Sequence, residues 1–433
     1  MLVRFLDRRF GLKTHGTTVR RELMAGLVSF VTSVYIIIVN SAILADAGIP
    51  VQAGMIATIA TSFVGCWLIG WWSNTPLVIV PGMGINALFT YTVVHTMGLS
   101  WQEALAAVFV SGLLFCLVAF TGLAGRISQS VPHTLKEAIG VGIGLFLTFI
   151  GLQKSGIVVP SASTFIALGD LGSPEAVVTL LTLALMAVLY VRGVNGSFLI
   201  AIVFGTAVAW LLGLVNPAAE GPGFGLRDAA AVFGALSFGG LWSLPFWIAA
   251  FSMAMVIVFE NLGLIHSQTA SFGRPDTYRR AFQAAAVSNA AAGLLGSSPA
   301  VSAVEGSAGI ASGGRTGLTA VFTGVLFLGS YFAVPLLQAI PDSAIAPVLI
   351  ILGSLMLGSI KAIPFEDFSE AFPAFLVIAL IPLTYSIVDG IAFGFIAYPV
   401  VKLAAGKGRQ VSATLYVIAL LFLLYEILQV MNK

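Results

Sequence analysis

Long apolar stretches separated by short polar ones run through almost the whole chain. A helix needs about 20 apolar residues to cross the hydrocarbon core of a bilayer, and most of the stretches approach that length. The pattern predicts membrane-spanning helices, with the shortest candidates at 298–313, 371–387 and 388–403. The stretches lie at residues 23–45, 52–71, 76–96, 103–124, 133–152, 175–191, 197–214, 244–266, 279–296, 298–313, 315–334, 344–360, 371–387, 388–403 and 411–430.

The composition agrees with this interpretation. Hydrophobic residues make up 58% of the chain and charged residues only 9%, whereas a soluble domain carries roughly 25% charged residues. The sequence therefore predicts a polytopic membrane protein embedded in the lipid bilayer, without a cleavable signal peptide. The net charge of +2 gives no indication of a nucleic-acid partner. Cys66 and Cys116 both lie in apolar stretches and are interpreted as packing residues, and neither a disulfide nor a metal site is expected.

The lysines and arginines predict the topology. If the N-terminus is cytoplasmic and fourteen crossings end near Leu403, 17 of the 20 cationic residues lie inside, as the positive-inside rule requires. Only Lys154 and Arg227 fall outside, and Lys433 depends on whether the final segment, 411–430, crosses the membrane or lies at its interface. We expect a multi-pass protein of the plasma (inner) membrane. The inside set is Arg4, Arg8, Arg9, Lys13, Arg20, Arg21, Arg126, Lys136, Arg192, Arg274, Arg279, Arg280, Arg315, Lys361, Lys402, Lys407 and Arg409.

Fourteen crossings divide into two sets of seven, and the two halves resemble each other weakly. The first span, "YIIIVNSAIL", can be aligned with the eighth, "MVIVFENLGL". The third, "PLVIVPGMGINALF", can be aligned with the tenth, "SSPAVSAVEGSAGI". An offset of seven spans inverts the orientation of the second copy. Inverted repeats with paired broken helices are typical of secondary transporters and mark a binding site near the bilayer midplane.

The third and tenth spans carry sequence features that interrupt a helix. Residues 78–80 and 299–304 favour short strands that can pair with each other. Irregular backbone at this depth is tolerated where it lines a cavity or packs in protein. A half-helix after each strand would turn its free N–H groups toward the centre of the membrane. The backbone N–H groups of Met83, Gly84 and Gly306 are the predicted donors.

Two acidic residues lie inside apolar spans, where a charge costs roughly 2.5–3.5 kcal/mol. Glu260 lies near the centre of the eighth span and Glu305 in the broken tenth. Each could simply be a protonated glutamate bonded to a neighbouring helix. The functional interpretation is favoured because both lie in the predicted repeat cores. Desolvation favours the neutral form of a carboxylate, so such a group can exchange a proton near neutral pH.

Two further residues of the third span are candidates for the site. Asn86 follows the break directly, although an asparagine in a membrane helix often only links helices. Phe89, three residues later, is a candidate for packing against a flat ligand. Asn40 in the first span is a weaker candidate for the site.

Several motifs are similar to those of the AzgA-like purine permeases, the adenine, guanine and hypoxanthine branch of the nucleobase–cation symporters, in the xanthine/uracil permease superfamily. They are "FVTSVYIIIVNSAIL", "PGMGINALF", "SAGIASGGRTGLTAV" and "FEDFSEAFPAFLVIALIPLTYSIVDGIAFGFIAY", and the resemblance extends from about residue 10 to residue 425. It implies an all-α fold of fourteen spans in a 7+7 inverted repeat, with short strands in spans 3 and 10. It further implies that the substrate lies between these strands, with Glu260, Glu305 and Asn86 as the corresponding site residues.

The resemblance also implies a core domain that moves as an elevator against a gate domain, commonly in a homodimer. The implied segments are a cytoplasmic N-terminal segment (1–22), the core domain (23–125 and 244–334), the gate domain (126–243 and 335–404) and an interfacial or membrane-embedded C-terminal helix (405–433).

The chain departs from the purine branch at several positions. In the purine branch the eighth span usually has the sequence Asp-Leu-Phe-Asp-Thr-x-Gly. This chain has Ile257 in place of the first Asp and Glu260 in place of the second. The uracil-type relatives also use Glu there, but Leu264 replaces the His that follows in them. Ser41 and Val304 stand where Pro and Ile are frequent. The chain is therefore a divergent member, and both the particular base and the coupling ion stay open.

These features predict a proton-coupled importer of purine nucleobases that needs no cofactor and is not an enzyme. Glu260 would accept the ring N–H groups, while Glu305 would hold a second edge or transfer the proton. Sodium in place of the proton, and uracil, xanthine or an anion in place of the purine, are the alternatives. A sulfate-permease-like anion transporter is disfavoured by the two glutamates, and a channel by the lack of a continuous polar lining.

Overall fold

The computed structural model describes residues 2–123, 130–215 and 231–431, with the side chains of residues 2–4 and 428–431 excepted. Within these ranges the chain is mostly helical and contains two pairs of short strands. The predicted inside cation Arg126, the predicted outside cation Arg227, the C-terminal Lys433 and the proposed domain boundary at residues 125/126 lie outside the described residues.

The helices are numbered here in chain order. They are α1 (Leu2–Phe10), α2 (Val19–Ser33), α3 (Ile36–Asp46), α4 (Val51–Ser73), α5 (Met83–Ala87, continued by a π-helix over Leu88–Thr96), α6 (Trp101–Thr121), α7 (His133–Lys154), α8 (Pro174–Val191), α9 (Ser197–Leu211), α10 (Leu244–Ser271), α11 (Tyr278–Leu294), α12 (Ser307–Ala311), α13 (Gly317–Gly329), α14 (Val334–Leu337), α15 (Asp342–Met356), α16 (Phe368–Thr384), α17 (Ile387–Ala404) and α18 (Ala413–Met431).

The helices follow the predicted spans closely. In the described part of the chain, nine are long and apolar enough to cross a membrane, and the first of them joins α2 and α3 over Val19–Asp46. The shorter apolar helices include α9 and α16, and the two broken segments are divided among strands and short helices. The total of fourteen crossings stays a prediction.

The two breaks contain the predicted strands. Strand β1 (Ile79–Pro81) pairs antiparallel with β4 (Ala300–Ser302), and all six residues are buried. Backbone bonds extend the pairing on both sides, from Gly82 N to Pro299 O at 3.0 Å and from Ala303 N to Val78 O at 2.8 Å. The strand predicted over 299–304 is shorter than expected because its last residues form a 3₁₀ turn, Val304–Gly306. The register is Ile79↔Ser302, Val80↔Val301 and Pro81↔Ala300.

A second strand pair lies between α7 and α8 and is absent from the sequence prediction. Strands β2 (Val158–Ser161) and β3 (Phe165–Leu168) form a hairpin whose second strand is exposed along its whole length. Each run has only four residues, too few for a clear alternation of apolar and polar positions.

The C-terminal helix α18 packs beside spanning helices. The Phe422 ring lies 5.8 Å from that of Phe395 on α17 and 6.5 Å from that of Phe251 on α10, measured between ring centroids. This packing favours the membrane-embedded alternative for the last segment.

Helices α7 and α15 approach closely through glycines. A Cβ atom added to Gly353 would lie 2.1 Å from Thr148 Oγ1 and 2.2 Å from the backbone oxygen of Gly144. Only a residue without a side chain fits this crossing. Gly140, one turn earlier on α7, has no such neighbour within 4 Å.

Gly353→Ala is therefore expected to destabilise the protein by ~1–3 kcal/mol through overpacking. The thermal unfolding midpoint of the purified protein should fall. Gly140→Ala is the matched control, since it adds the same methyl group to a helix with space around it. Equal midpoints for the two variants would show that this contact does not limit stability.

Candidate functional site

The two broken segments, α10, the loop between α8 and α9 and the end of α15 line a cavity of about 650 Å³. Glu260 and Glu305 both line it, as do Met83 and Gly84. The structure therefore brings together four of the predicted site residues, although the acids are 45 positions apart in the sequence.

Glu305 is held by two hydroxyl groups of the first span. Tyr35 donates its hydroxyl to Glu305 Oε1 at 2.5 Å, and Thr32 donates to the backbone oxygen of Glu305 at 3.2 Å. The Tyr35 side chain is fully buried, and its ring lies 4.8 Å from that of Phe198 on α9. One carboxylate oxygen of Glu305 is therefore fixed by the protein.

Glu260 is different because its carboxylate has no hydrogen-bond partner among the described residues. It faces the same cavity, and Glu305 is the group that acts on it electrostatically. Within the described ranges neither acid forms an ion pair with a lysine or arginine. Glu260 therefore offers a carboxylate whose acceptor positions are open to a ligand.

The first turn of α5 supplies donors to the cavity. Asn86 N–H is the first amide to bond back into this turn, to Gly82 O at 3.0 Å. The amides of Met83 and Gly84 precede it and have no intrahelical acceptor, and Gly82 has no side chain to cap them. Donors and acidic acceptors therefore line the same cavity.

Side chains of α10 fix the strand that precedes Glu305. Asn261 Oδ1 accepts the Ser302 amide at 3.0 Å. Gln268 donates to the backbone oxygen of Ala303 at 2.7 Å and accepts from the Ser302 hydroxyl at 2.7 Å. Because Glu260 lies on the same helix, these bonds set its position relative to β4.

Asn86 is not among the residues that line the cavity, and its role in the site stays a prediction. Its amide donates to Asn40 Oδ1 at 3.1 Å, and the same oxygen accepts from Ser298 Oγ at 2.9 Å. Asn40 also donates to Thr58 Oγ1 at 2.8 Å. The two asparagines thus link the broken segments to neighbouring helices, the structural role that the sequence left open.

Phe89 and Gly306 also lie away from the cavity wall. Phe89 is fully buried in the hydrophobic core on the π-helix. The Gly306 amide is used within its own turn, where it donates to Ala303 O at 3.2 Å. The geometry therefore does not support a ligand contact for either residue, because core packing occupies the first and a local hydrogen bond the second.

A second cavity, of about 760 Å³, shares Glu260, Gly84 and Leu264 with the first. It extends to Lys136 at the start of α7 and to Tyr278 at the start of α11. The charge pattern predicts that both helix ends lie on the inner side of the membrane. In the described ranges no group of three or more His, Cys, Asp or Glu side chains is arranged to hold a metal ion.

Residues 20–393 match the Permease family, whose profile is labelled Xan_ur_permease. The chain belongs to this family. The permease is 51% identical over 381 residues to the nucleobase transporter PlAzg2 of Paenibacillus larvae, which covers 88% of this chain and 76% of that protein. It is 38% identical to the guanine/hypoxanthine permease PbuO of Bacillus subtilis, over 95% of this chain and 98% of that one. It is 34% identical to the adenine permease AdeP of Escherichia coli, over 97% and 95%.

Solved structures share the fold of this permease at low sequence identity. The transmembrane domain of the cyanobacterial bicarbonate transporter BicA has a TM-score of 0.67 at 17% identity, over 85% of this chain and 96% of that one. The murine anion transporter Slc26a9 in its inward-facing state has a TM-score of 0.69 at 12% identity, over 89% and 68%. The predicted fold class, a helical polytopic transporter with short strands in two broken spans, is confirmed.

Proposed function

We propose that this permease imports purine nucleobases with a coupled proton. The observation that carries the proposal is one cavity lined by two carboxylates and by the first amides of a half-helix. A purine carries ring N–H groups and acceptor nitrogens around a flat ring. Glu260 would accept the N–H groups, while the amides of Met83 and Gly84 would donate to the acceptor nitrogens. The names of the relatives, a nucleobase transporter, a guanine/hypoxanthine permease and an adenine permease, support this substrate class.

The proton is assigned to the acid pair. Glu305 acts on Glu260 through charge repulsion, and within the described ranges neither acid has a cationic partner. Binding one proton at the pair removes part of this repulsion. Transport of the base is coupled to transport of the proton if the two, bound together, favour the conformation in which the transporter can move them across the membrane.

An anionic substrate fits this cavity less well. Like charges in a site of low dielectric repel strongly, and both glutamates line the cavity wall. The fold shared with anion transporters therefore carries no argument about the solute.

The movement would be that of an elevator, with the core domain (23–125 and 244–334) sliding against the gate domain (126–243 and 335–404). Packing supports this division. Helices α2 and α4 both pack against α13, and α15 and α16 both pack against α7, while the two groups contact each other less. A homodimer in the plasma membrane, with a cytoplasmic N-terminus, belongs to the same proposal.

The deciding experiment is uptake in cells that lack their own base permeases. Labelled adenine, guanine, hypoxanthine, xanthine and uracil are offered one at a time at acidic external pH. We expect accumulation of at least one purine, abolished by a protonophore and maintained when sodium is replaced by choline. No uptake of any base would contradict the substrate class, and a strict sodium requirement would contradict the proton.

Tyr35→Phe is expected to reduce proton-driven accumulation about tenfold, because Glu305 loses a hydrogen bond to a charged group. The ring that packs on Phe198 is preserved, so abundance in the membrane should not change. Initial uptake is measured over a range of external pH, and the shape of this profile should change as well. Tyr416→Phe, which removes a hydroxyl that contacts Gly408 O at 3.4 Å outside the cavity, is the control. If Tyr35→Phe shows the same pH profile of uptake as the parent protein, the Tyr35 hydroxyl has no role in proton coupling.

A further inference from the structure

A cluster of charged side chains at helix ends includes none of the residues that line the two cavities. Lys154, at the end of α7, contacts Asp46 at the end of α3, with Nζ 3.0 Å from Oδ1 and 2.9 Å from Oδ2. It also lies 3.5 Å from Asp342 Oδ2 at the start of α15. The Lys154 side chain is only 14% exposed. One lysine therefore bridges three helices.

The neighbours of Asp46 come from the third span. Tyr91 donates its hydroxyl to Asp46 Oδ2 at 2.5 Å, and His95 Nε2 lies 2.8 Å from the Asp46 backbone oxygen. The Tyr91 ring meets that of Tyr385, at the end of α16, at 5.5 Å and 82°. Beside this contact, Ile387 N donates to Thr92 Oγ1 at 2.9 Å. The salt bridge, the ring contact and the amide–hydroxyl bond thus connect the first and third spans with helices α7, α15, α16 and α17.

The two sides of this contact belong to different proposed domains. Asp46 and Tyr91 lie in the core domain, whereas Lys154, Asp342 and Tyr385 lie in the gate domain. Asp46, Lys154, Asp342 and Tyr385 stand at helix ends that the charge pattern assigns to the outside, and Tyr91 lies beside them in the π-helix. The two cavities extend instead to helix ends that it assigns to the inside, such as Lys136.

We propose that Lys154 and Asp46 form the outer closing contact of the transporter, which holds the site shut toward the outside in the conformation observed here. The contact must break for the core domain to expose the site on that face. This inference rests on the proposed transport function and on the proposed domain division. A partly exposed ion pair suits the role, because it contributes only up to ~1 kcal/mol and can open reversibly.

Breaking the contact should open the outer face more often. The reporter is Ile387→Cys, since the native side chain is fully buried and its backbone N–H bond to Thr92 is preserved. A membrane-impermeant maleimide is applied outside intact cells, and labelling of the chain without the reporter, which keeps Cys66 and Cys116, is subtracted. Lys154→Met should speed reporter labelling roughly fivefold, the factor that corresponds to the upper value for such a pair. Lys154→Arg should retain the slow rate because it keeps the charge.

Two controls accompany the reporter. Ala162→Cys, at the exposed turn of the β2–β3 hairpin, should be labelled equally in all backgrounds. Lys407→Gln breaks a pair of 2.7 Å with Asp367, between the C-terminal segment and the gate domain, and should leave the reporter slow. If Lys154→Met fails to reach the membrane, Asp46→Asn tests the same contact. Unchanged labelling in a correctly inserted Lys154→Met or Asp46→Asn variant would overturn the proposal. Because the assay needs no substrate, its outcome is independent of whether the permease carries purines.

Discussion

Glu260→Gln is expected to weaken purine binding by the purified permease roughly 100-fold, the equivalent of one lost hydrogen bond to a charged group at the strong end of its range. The Glu260 carboxylate faces the cavity without a hydrogen-bond partner among the described residues, so a ligand N–H group would be its first donor. Glutamine replaces one acceptor oxygen by an NH₂ group. The NH₂ group either turns away from the ligand, with the loss of one hydrogen bond, or points toward the ligand N–H group, so that two donors face each other.

The measurement is equilibrium binding of labelled adenine, guanine and hypoxanthine to the purified variant. Glu175→Gln is the matched control, because it makes the same change at an exposed acid in the first turn of α8. Binding of Glu260→Gln at the parental affinity, for whichever purine the parent binds, would remove Glu260 from the site.

The sequence identified the two acids because a charge inside an apolar span is expensive and therefore conspicuous. It also located both strands, since proline, glycine and β-branched residues mark a break without reference to the rest of the chain. These are local signals, and they were sufficient for strands β1 and β4 and for the two acids of the cavity, but not for the β2–β3 hairpin.

The partners of the acids left no comparable signal. Tyr35 stands 270 residues before Glu305 and reads as one more large residue of an apolar span. One feature of the sequence near Tyr35 could have indicated a polar contact, namely Thr32, a second hydroxyl-bearing residue about one helical turn earlier. Gln268 was equally inconspicuous near the end of α10, although it holds Ala303.

The same reasoning applies to Asn86. Its place after the break suggested a ligand, but its orientation depends on Asn40, which lies 46 residues earlier. A short polar side chain bonds to whatever the fold brings within about 3 Å, and proximity in sequence does not determine that. Phe89 was predicted to pack against a flat ligand, and its side chain is fully buried in the core.

Glu305→Gln is expected to separate binding from coupling. Glutamine keeps an oxygen that can accept the Tyr35 hydroxyl, so the wall of the cavity and purine affinity should stay within about threefold of the parent, the loss of a weak hydrogen bond at most. An amide cannot take up and release a proton, however, so accumulation driven by an inward pH gradient should fall to the level set by equilibration. Proteoliposomes test both properties, through accumulation against a gradient and through exchange of internal for external labelled base.

Exchange should persist in Glu305→Gln because it needs only the loaded permease to move in both directions. Glu305→Asp is the companion variant: it restores a titratable group on a shorter side chain and should recover part of the accumulation. Full accumulation by Glu305→Gln would assign the proton to Glu260 alone. Loss of both exchange and binding would instead make Glu305 a substrate ligand, so that the two acids share the purine and the proton between them.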